Sequence, residues 1–375
     1  MFLNKKIKMI AAVLCFAILL GGCANPVTGG NITKVVLTTG FSGNEVFRIE
    51  DTVCTLPEIM VYLVNMQNEY ENNLGKEIWS AGITSDSATD SSSEAISDAE
   101  KITLEDNLKQ SCLSRMAKIK TMNLLAKESG ITLSDDETLL ASKAADEYYS
   151  SLSENDIEAM QNVSKDEITK LYEEYALANK LYEYTIKDIN PEVSDDEARR
   201  ITVLQIFIKT YTLDGSGAKV DVSDEEKQTA YNKLSKILAE YKSGTEFESL
   251  AEKYNEADET TISFGKGEVD ENLEKAAFDL STDEVSGIIT TADGYEIIKC
   301  VTTFNKEETE ANKVKIIEQR RKEAFGEQYD NFADGLTKEI NEKLWDSITL
   351  SNDSDATTCS FFSIYEKYFK NDEES

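Results

Sequence analysis

Histidine is absent from this 375-residue chain. Without an imidazole there is no Ser-His-Asp hydrolysis, no HExxH zinc chemistry, no histidine acid–base catalyst and no histidine metal site. No Cys-x-x-Cys occurs either, so neither a thioredoxin-type site nor a zinc ribbon is indicated. Positive charge is scarce: 39 Lys and Arg stand against 71 Asp and Glu, a net charge of −32. Nucleic acid is held through a basic patch that releases counterions, and this surface would repel a phosphate backbone. Long apolar runs are missing too. The run Met9–Leu20 has twelve residues, short of the about 20 that span a membrane. What is present suffices for a core, since 40% of the residues are hydrophobic, and the length allows roughly two domains of ~150 residues plus extensions.

Lys5, Lys6 and Lys8 precede the apolar run, and Leu20-Gly21-Gly22-Cys23 closes it. A positive n-region followed by a short apolar stretch is the pattern of a secretory signal. The closing quartet resembles the bacterial lipobox. That resemblance implies that residues 1–22 are a lipoprotein signal peptide and that Cys23 is the lipid-attachment residue. It also implies a mature chain anchored on the outer face of the bacterial cell membrane. An ordinary signal peptide or a short anchor is the plainer alternative. The acidic surface would hold an anchored protein off anionic headgroups within a Debye length of about 8 Å, or serve solubility alone. Cys54, Cys112, Cys300 and Cys359 remain besides the lipid site. Four cysteines outside the cytosol permit disulfides in three pairings. Cys112, on an apolar helix stripe, and Cys300, at the end of an apolar strand, read instead as free and buried.

Along the chain, residues 24–31 form a tether, and 34–37 and 45–49 short strands joined through glycines. Pro57 suits the first turn of a helix running to Tyr70. Residues 84–100 hold six serines, five acids and no base, the composition of a solvated loop. They lack the turn glycine and ordered acid spacing of a calcium loop. Leu104, Leu108, Cys112, Met116 and Ile119 recur at helical spacing, and Gly130 ends that helix. Ser134/Glu137, Ser164/Glu167, Ser194/Glu197 and Ser223/Glu226 are capping boxes, which accounts for these glutamates without catalysis. A β-branched strand at 201–209 changes the pattern. After it come helices at 224–242, around Phe247 and Leu250, and at 273–280. Strands are expected at 262–264, 285–290 and 295–301. From Lys306 a long helix resumes, with Phe325, Tyr329, Phe332, Leu336 and Ile340 on one face, and a last strand is expected at 348–350. Phe361, Phe362, Tyr365, Tyr368 and Phe369 form an aromatic stripe that either docks on the helical body or holds a partner. The layout is helical, then α/β, then helical. A single α/β block flanked by helices excludes the repeated two-lobed pattern of a solute-binding protein.

Four phrases in the α/β block carry a resemblance. Lys242–Tyr254, KSGTEFESLAEKY, resembles the "G-x-x-F-x-x-L-A-x-x-Y" helix of the parvulin-type peptidyl-prolyl isomerase domain. Phe264–Glu268 resembles that family's "F-x-x-G" turn. Leu273–Phe278 with Asp283–Ser286 resembles "F-x-x-A-A-F … G-E-V-S", and Gly294–Lys299 resembles "G-Y-H-I-I-K". The whole layout resembles the secreted foldases of the PrsA/SurA type. The fold class this implies is α+β: a discontinuous, mostly helical chaperone domain with an inserted parvulin-like α/β domain. Its parts are 23–198 as the N-terminal helical part, 199–304 as the isomerase domain, and 305–375 as a C-terminal helix and tail completing the helical part.

The resemblance also places a site. Gln205 and Glu296 stand where the family has its histidine pair, as the catalytic candidates. Val269 stands for the pocket methionine and Leu273 for the pocket phenylalanine. With Phe264 they are the substrate-binding candidates, a shallower slot than Met and Phe would line. The loop before Phe264 is shorter than the pattern, and the usual Gly-Asp-Leu-Gly is missing. Gln205 and Glu296 are expected either to hydrogen-bond each other across adjacent strands or to be ordinary polar strand residues. No metal or cofactor is implied. The implied partners are unfolded exported polypeptides and, through lipidated Cys23, the membrane. Two functions follow: an isomerase acting on X-Pro bonds, or a non-catalytic holdase using the helical cradle.

Overall fold

The computed structural model describes residues 40–80, 103–215, 217–350 and 355–370. The signal segment 1–22, Cys23, the tether, the strand expected at 34–37 and the serine-rich stretch 84–100 lie outside the described residues. The chain forms two compact units. One combines the residues up to Ile189 with those from Lys322 onward, and the other is Asn190–Arg321.

The first unit begins with β1 (Glu45–Ile49) and β2 (Thr52–Thr55), paired antiparallel. Helix α1 (Leu56–Leu74) follows with Pro57 in its first turn, and the Glu58 carboxylate accepts from Thr55 N at 2.8 Å. In α2 (Leu104–Glu128) the stripe of Leu104, Leu108, Cys112, Met116 and Ile119 is buried throughout. Gly130 stops it with φ +69°, a conformation glycine adopts without steric cost. Helices α3 (Asp135–Ser151) and α5 (Lys165–Ile186) open with the expected boxes at Ser134 and Ser164. Between them α4 (Glu154–Ala159) uses Ser153 and Asp156 in the same way. Lys120 is 0% exposed. Its Nζ donates to Glu58 Oε1 at 3.2 Å and Glu174 Oε1 at 2.8 Å, and Lys170 reaches Glu58 Oε1 at 2.6 Å. This buried network joins α1, α2 and α5. Burial pushes the Glu58 carboxyl up, but Lys120 and Lys170 outweigh that and hold it below its usual value. Burial dominates at Glu174, with Glu58 opposing its charge as well, and that carboxyl is held above its usual value.

The second unit opens with α6 (Asp195–Ala198), capped by Ser194. It continues through β3 (Ile201–Lys209), the hairpin of β4 (Tyr211–Leu213) and β5 (Lys219–Asp221), α7 (Asp224–Lys242) and α8 (Phe247–Tyr254). Then come β6 (Thr261–Phe264), α9 (Glu271–Asp279), β7 (Ile289–Thr290) and β8 (Gly294–Thr302). The sheet order is β6-β3-β8-β7, with every pair antiparallel. Side-chain period two divides its residues. Ile206, Ile208 and Ile297 pack with Leu234, Ile237, Phe247 and Leu250 of α7 and α8. On the other face Ile201, Val203 and Ile298 pack with Phe264, Leu273, Ala277 and Ile289. The strand expected at 285–290 shrinks to two residues. Ser286 Oγ accepts from Ile298 N at 3.0 Å, so a side chain stands where a ladder carbonyl would. The unit reaches beyond 199–304 because both flanks are tied in. Asn312 Nδ2, on α10 (Lys306–Ala333), donates to Ala198 O at 3.0 Å, and Arg320 Nη1 donates to Glu192 O at 2.7 Å.

After Arg321 the chain rejoins the first unit, and α10 stops at Ala333. Leu336 and Ile340 therefore do not extend its face as the periodicity suggests. Asp334 and Gly335 turn the chain into β9 (Lys338–Ile340), which pairs with β1, Phe47 opposite Ile340. The strand expected at 348–350 does not form. Ile348 and Leu350 are buried, but Lys109 Nζ donates to Ile348 O at 2.6 Å and Leu350 N donates to Glu105 Oε1 at 2.8 Å. Side chains of α2 take the bonds a strand partner would need. After α11 (Glu342–Asp346), α12 (Phe361–Phe369) docks on its own unit. Phe361 stacks on Tyr172 with centroids 4.4 Å apart, and Tyr172 Oη donates to Phe361 O at 2.9 Å. The aromatic stripe is a docking face. Cys54, Cys112 and Cys300 are buried, Cys359 is exposed, and all four are free thiols.

Candidate active site

Strands β3 and β8 place the two polar candidates on one face of the sheet. Gln205 lies opposite Ile298, and Glu296 lies opposite Phe207 on one side and Ile289 on the other. The candidates are thus diagonal neighbours, offset by two residues. They do not hydrogen-bond each other. Gln205 Nε2 donates to Glu259 O at 2.8 Å, and Gln205 N donates to Thr260 O at 2.8 Å. Asn255 does related work: its Oδ1 accepts from Phe207 N at 2.9 Å, and its Nδ2 donates to Glu259 O at 2.8 Å. Together they knit the shortened loop before Phe264 onto β3. Asn255 escaped sequence reading, although an Asn directly after a helix is a common local cap of this kind.

Gly294 fixes where β8 begins. A Cβ there would lie 2.3 Å from Ile208 O and 2.9 Å from a ring carbon of Phe207. Only glycine allows the approach, which sets Glu296 beside Phe207. The Glu296 carboxyl is pushed up to about 7, first by burial and then by the like charge of Asp270. Asp270 is itself satisfied. Its Oδ1 accepts from Asn272 N at 2.9 Å as the cap of α9, and its Oδ2 accepts from Ala292 N at 3.1 Å. It ties the start of α9 to the turn before β8. Its signal in the sequence was an Asp two residues before Asn272 at the head of an amphipathic segment.

Phe264, Val269 and Leu273 come together in one apolar cluster on this same face, with Ile289 and Ile298. Phe264 is 3% exposed and Leu273 6%, so they lie beneath the surface, and Val269 is half-buried at its edge. At the end of the sheet the Arg200 guanidinium donates to Glu308 at 3.0 Å and Ser263 O at 2.9 Å, and also pairs with Glu268. Glu268 of the Phe264–Glu268 phrase is thereby engaged in structure. Among the described residues no three His, Cys, Asp or Glu are grouped to hold a metal ion, and no helix is long and apolar enough to cross a membrane. The face offers a polar pair beside an apolar edge.

Comparison with known proteins bears on the same residues. Residues 206–302 match the family model for the rotamase, PPIC-type PPIase domain. Foldase protein PrsA 1 of Listeria monocytogenes serovar 1/2a is 29% identical over 151 residues, 38% of this chain and 47% of that protein. Foldase protein PrsA 1 of Listeria monocytogenes serotype 4b is 33% identical over 110 residues, 28% of this chain and 35% of that protein. The chain thus spans less than half the length of these curated relatives. Among solved structures, the peptidylprolyl isomerase PrsA from Bacillus cereus is 20% identical with a TM-score of 0.33, over 72% of this chain and 97% of that one. Residues 206–302, which hold Glu296, Phe264, Val269 and Leu273 and begin directly after Gln205, are therefore similar to the PPIC-type peptidyl-prolyl isomerase domains.

Proposed function

We propose that this protein is a membrane-anchored extracytoplasmic foldase that assists the folding of exported polypeptides, its PPIC-type domain acting as a peptidyl-prolyl cis–trans isomerase. The observation that carries this reading is the gathering of Glu296, Phe264, Val269 and Leu273, all within the matched residues, with Gln205 just before them, on one sheet face. Relatives named as foldases support the wider role. Cys23 is the lipid-attachment residue in this reading, and clients are unfolded chains emerging outside the membrane.

The chemistry is modest in its demands. Rotation about a peptide bond faces a barrier of ~18–20 kcal/mol, and uncatalysed X-Pro isomerisation takes tens of seconds or more. A catalyst must seat the proline ring and favour the twisted amide over the planar one. Val269 at the edge, over Phe264 and Leu273, receives the ring. Gln205 and Glu296 face the amide. No cofactor is required. The test is isomerisation of a proline-containing peptide by the full chain, read by exchange NMR. Cis–trans exchange faster than in buffer is expected, and a rate no higher than the uncatalysed one overturns the isomerase reading.

A second reading has its own support. The floor of the slot is filled by buried Phe264 and Leu273, which favours a holdase with a retained but idle isomerase fold. It predicts suppression of client aggregation by the full chain without any rate enhancement at proline.

A further inference from the structure

Glu296 carries a carboxyl that the fold covers almost completely without giving it a protein donor, while neither of its oxygens is fully enclosed, so the group can still be reached from outside. It is 3% exposed. Among the described residues it has no hydrogen-bond donor and no ion-pair partner. Four carboxyls on the surrounding elements are engaged elsewhere. Asp270, heading α9, holds two backbone amides; Glu274, on α9, accepts from Gly267 N; Asp293, in the turn before β8, binds Lys219; and Glu256, beside β3, accepts from Lys209 N and Lys233. Of these groups only Asp270 acts on Glu296, and with the same sign. Its strand neighbours are Phe207 and Ile289, and its face is shared with Ile298, Leu273 and the Gln205 amide, which is committed to Glu259 O.

A buried carboxylate with no donor and no cation is costly, whereas the neutral acid is tolerated. The neutral acid is also a different tool, because it carries an O–H donor where the carboxylate only accepts. The X-Pro amide has a use for a donor at one moment. In the planar amide the nitrogen lone pair is delocalised into the carbonyl, which gives the C–N bond its double-bond character. As the bond twists, that lone pair returns to nitrogen and becomes an acceptor. A donor beside it binds the twisted state and not the planar one, which is the condition for catalysis.

We propose that Glu296 works as a neutral carboxylic acid whose O–H donates a hydrogen bond to the prolyl nitrogen of the twisting amide. The proposal rests on the isomerase reading of this site. The proton stays on Glu296 throughout. No bond is formed or broken, so no co-reactant is needed.

The experiment follows the full chain in the exchange NMR assay across pH, with a short peptide bearing Ala before proline, alongside 13C NMR of the glutamate carboxyls assigned with Glu296→Gln. For the wild type, the rate enhancement is expected to fall about tenfold between about pH 6 and about pH 8, in step with ionisation of Glu296. Glu296→Gln keeps an N–H donor at every pH, so its enhancement is expected to be flat. Glu296→Met, of similar volume and without a donor, is expected to lose most of the enhancement at about pH 6. A flat wild-type profile, or one that rises with pH, overturns the proposal, the second because the carboxylate would then be the active form. A Glu296 carboxyl already ionised at about pH 6 overturns it whatever the rate. A carboxyl that is neutral there, in a chain with no enhancement at any pH, overturns the isomerase reading instead.

Discussion

At the scale of single residues, Gln205 and Glu296, the two positions where the parvulin-type resemblance implies histidines, take different parts. Gln205 donates to Glu259 O and holds the loop before Phe264, while the Glu296 carboxyl, 3% exposed, has no protein donor among the described residues. Both positions could be found by motif. Their failure to pair could not, because it depends on register. The offset of two residues follows from the unbroken register of Val203–Lys209 against Gly294–Cys300, pinned at one end by the close approach of Gly294 to Ile208, which side-chain patterning does not show. The enclosure of Glu296 has a thermodynamic consequence as well. An unfolded glutamate releases its proton near about 4.3, whereas the folded chain holds it until about 7. Between those values the folded state binds the extra proton. Stability from this group is therefore complete below the unfolded value and is lost as pH rises through the folded one. The loss is on the order of 3 kcal/mol. Glu296→Gln removes the ionisation. Its urea midpoint should exceed the wild type's at about pH 8 and approach it at about pH 4. A difference of equal size at both pH values would show that the carboxyl does not titrate between the two states.

Elements were readable where a local device decides them. The capping boxes at Ser134, Ser164 and Ser223 and the stripe from Leu104 to Ile119 each name a helix, and period two names β3 and β8. Reading failed where distant groups decide. Periodicity carries Leu336 and Ile340 along α10, but β1 offers β9 an edge that a helix could not use. Residues 348–350 have strand composition, yet Lys109 and Glu105 claim their backbone groups. The docking of α12 is another long-range result, and its strength can be tested. Phe361 is 0% exposed, stacked on Tyr172 and in contact with Tyr62 and Tyr148 at centroid distances of 5.2 and 5.4 Å. Its truncation to Ala should cost about 3–5 kcal/mol, the range for a fully buried aromatic. Tyr368, half-buried at the rim and bonded to Glu147, should cost about 1 kcal/mol or less on the same change. Chemical denaturation of the two variants gives the comparison, and similar small costs would mean that α12 lies loosely on its unit.

At the scale of the whole molecule, the scarcity of positive charge would bear on any client chain as well as on excluded partners. A net charge of −32 sets up a field that attracts basic chains and repels acidic ones before any apolar contact is made. If the protein holds unfolded clients, capture has two parts with different salt dependence. The electrostatic part is screened, since the Debye length falls from about 10 Å at 0.1 M to about 3 Å at 1 M. Apolar docking is not weakened by the same salt. Comparing one unfolded basic client with the same client after lysine acetylation separates them, because the sequence is shared and the charge is not. Light scattering during client dilution should show stronger protection of the unmodified form at low ionic strength. That advantage should vanish near about 1 M salt while a common residual protection remains. Equal protection of both forms at low salt would mean that the acidic surface serves solubility alone. Client choice would then have to come from apolar surface such as the edge formed by Val269.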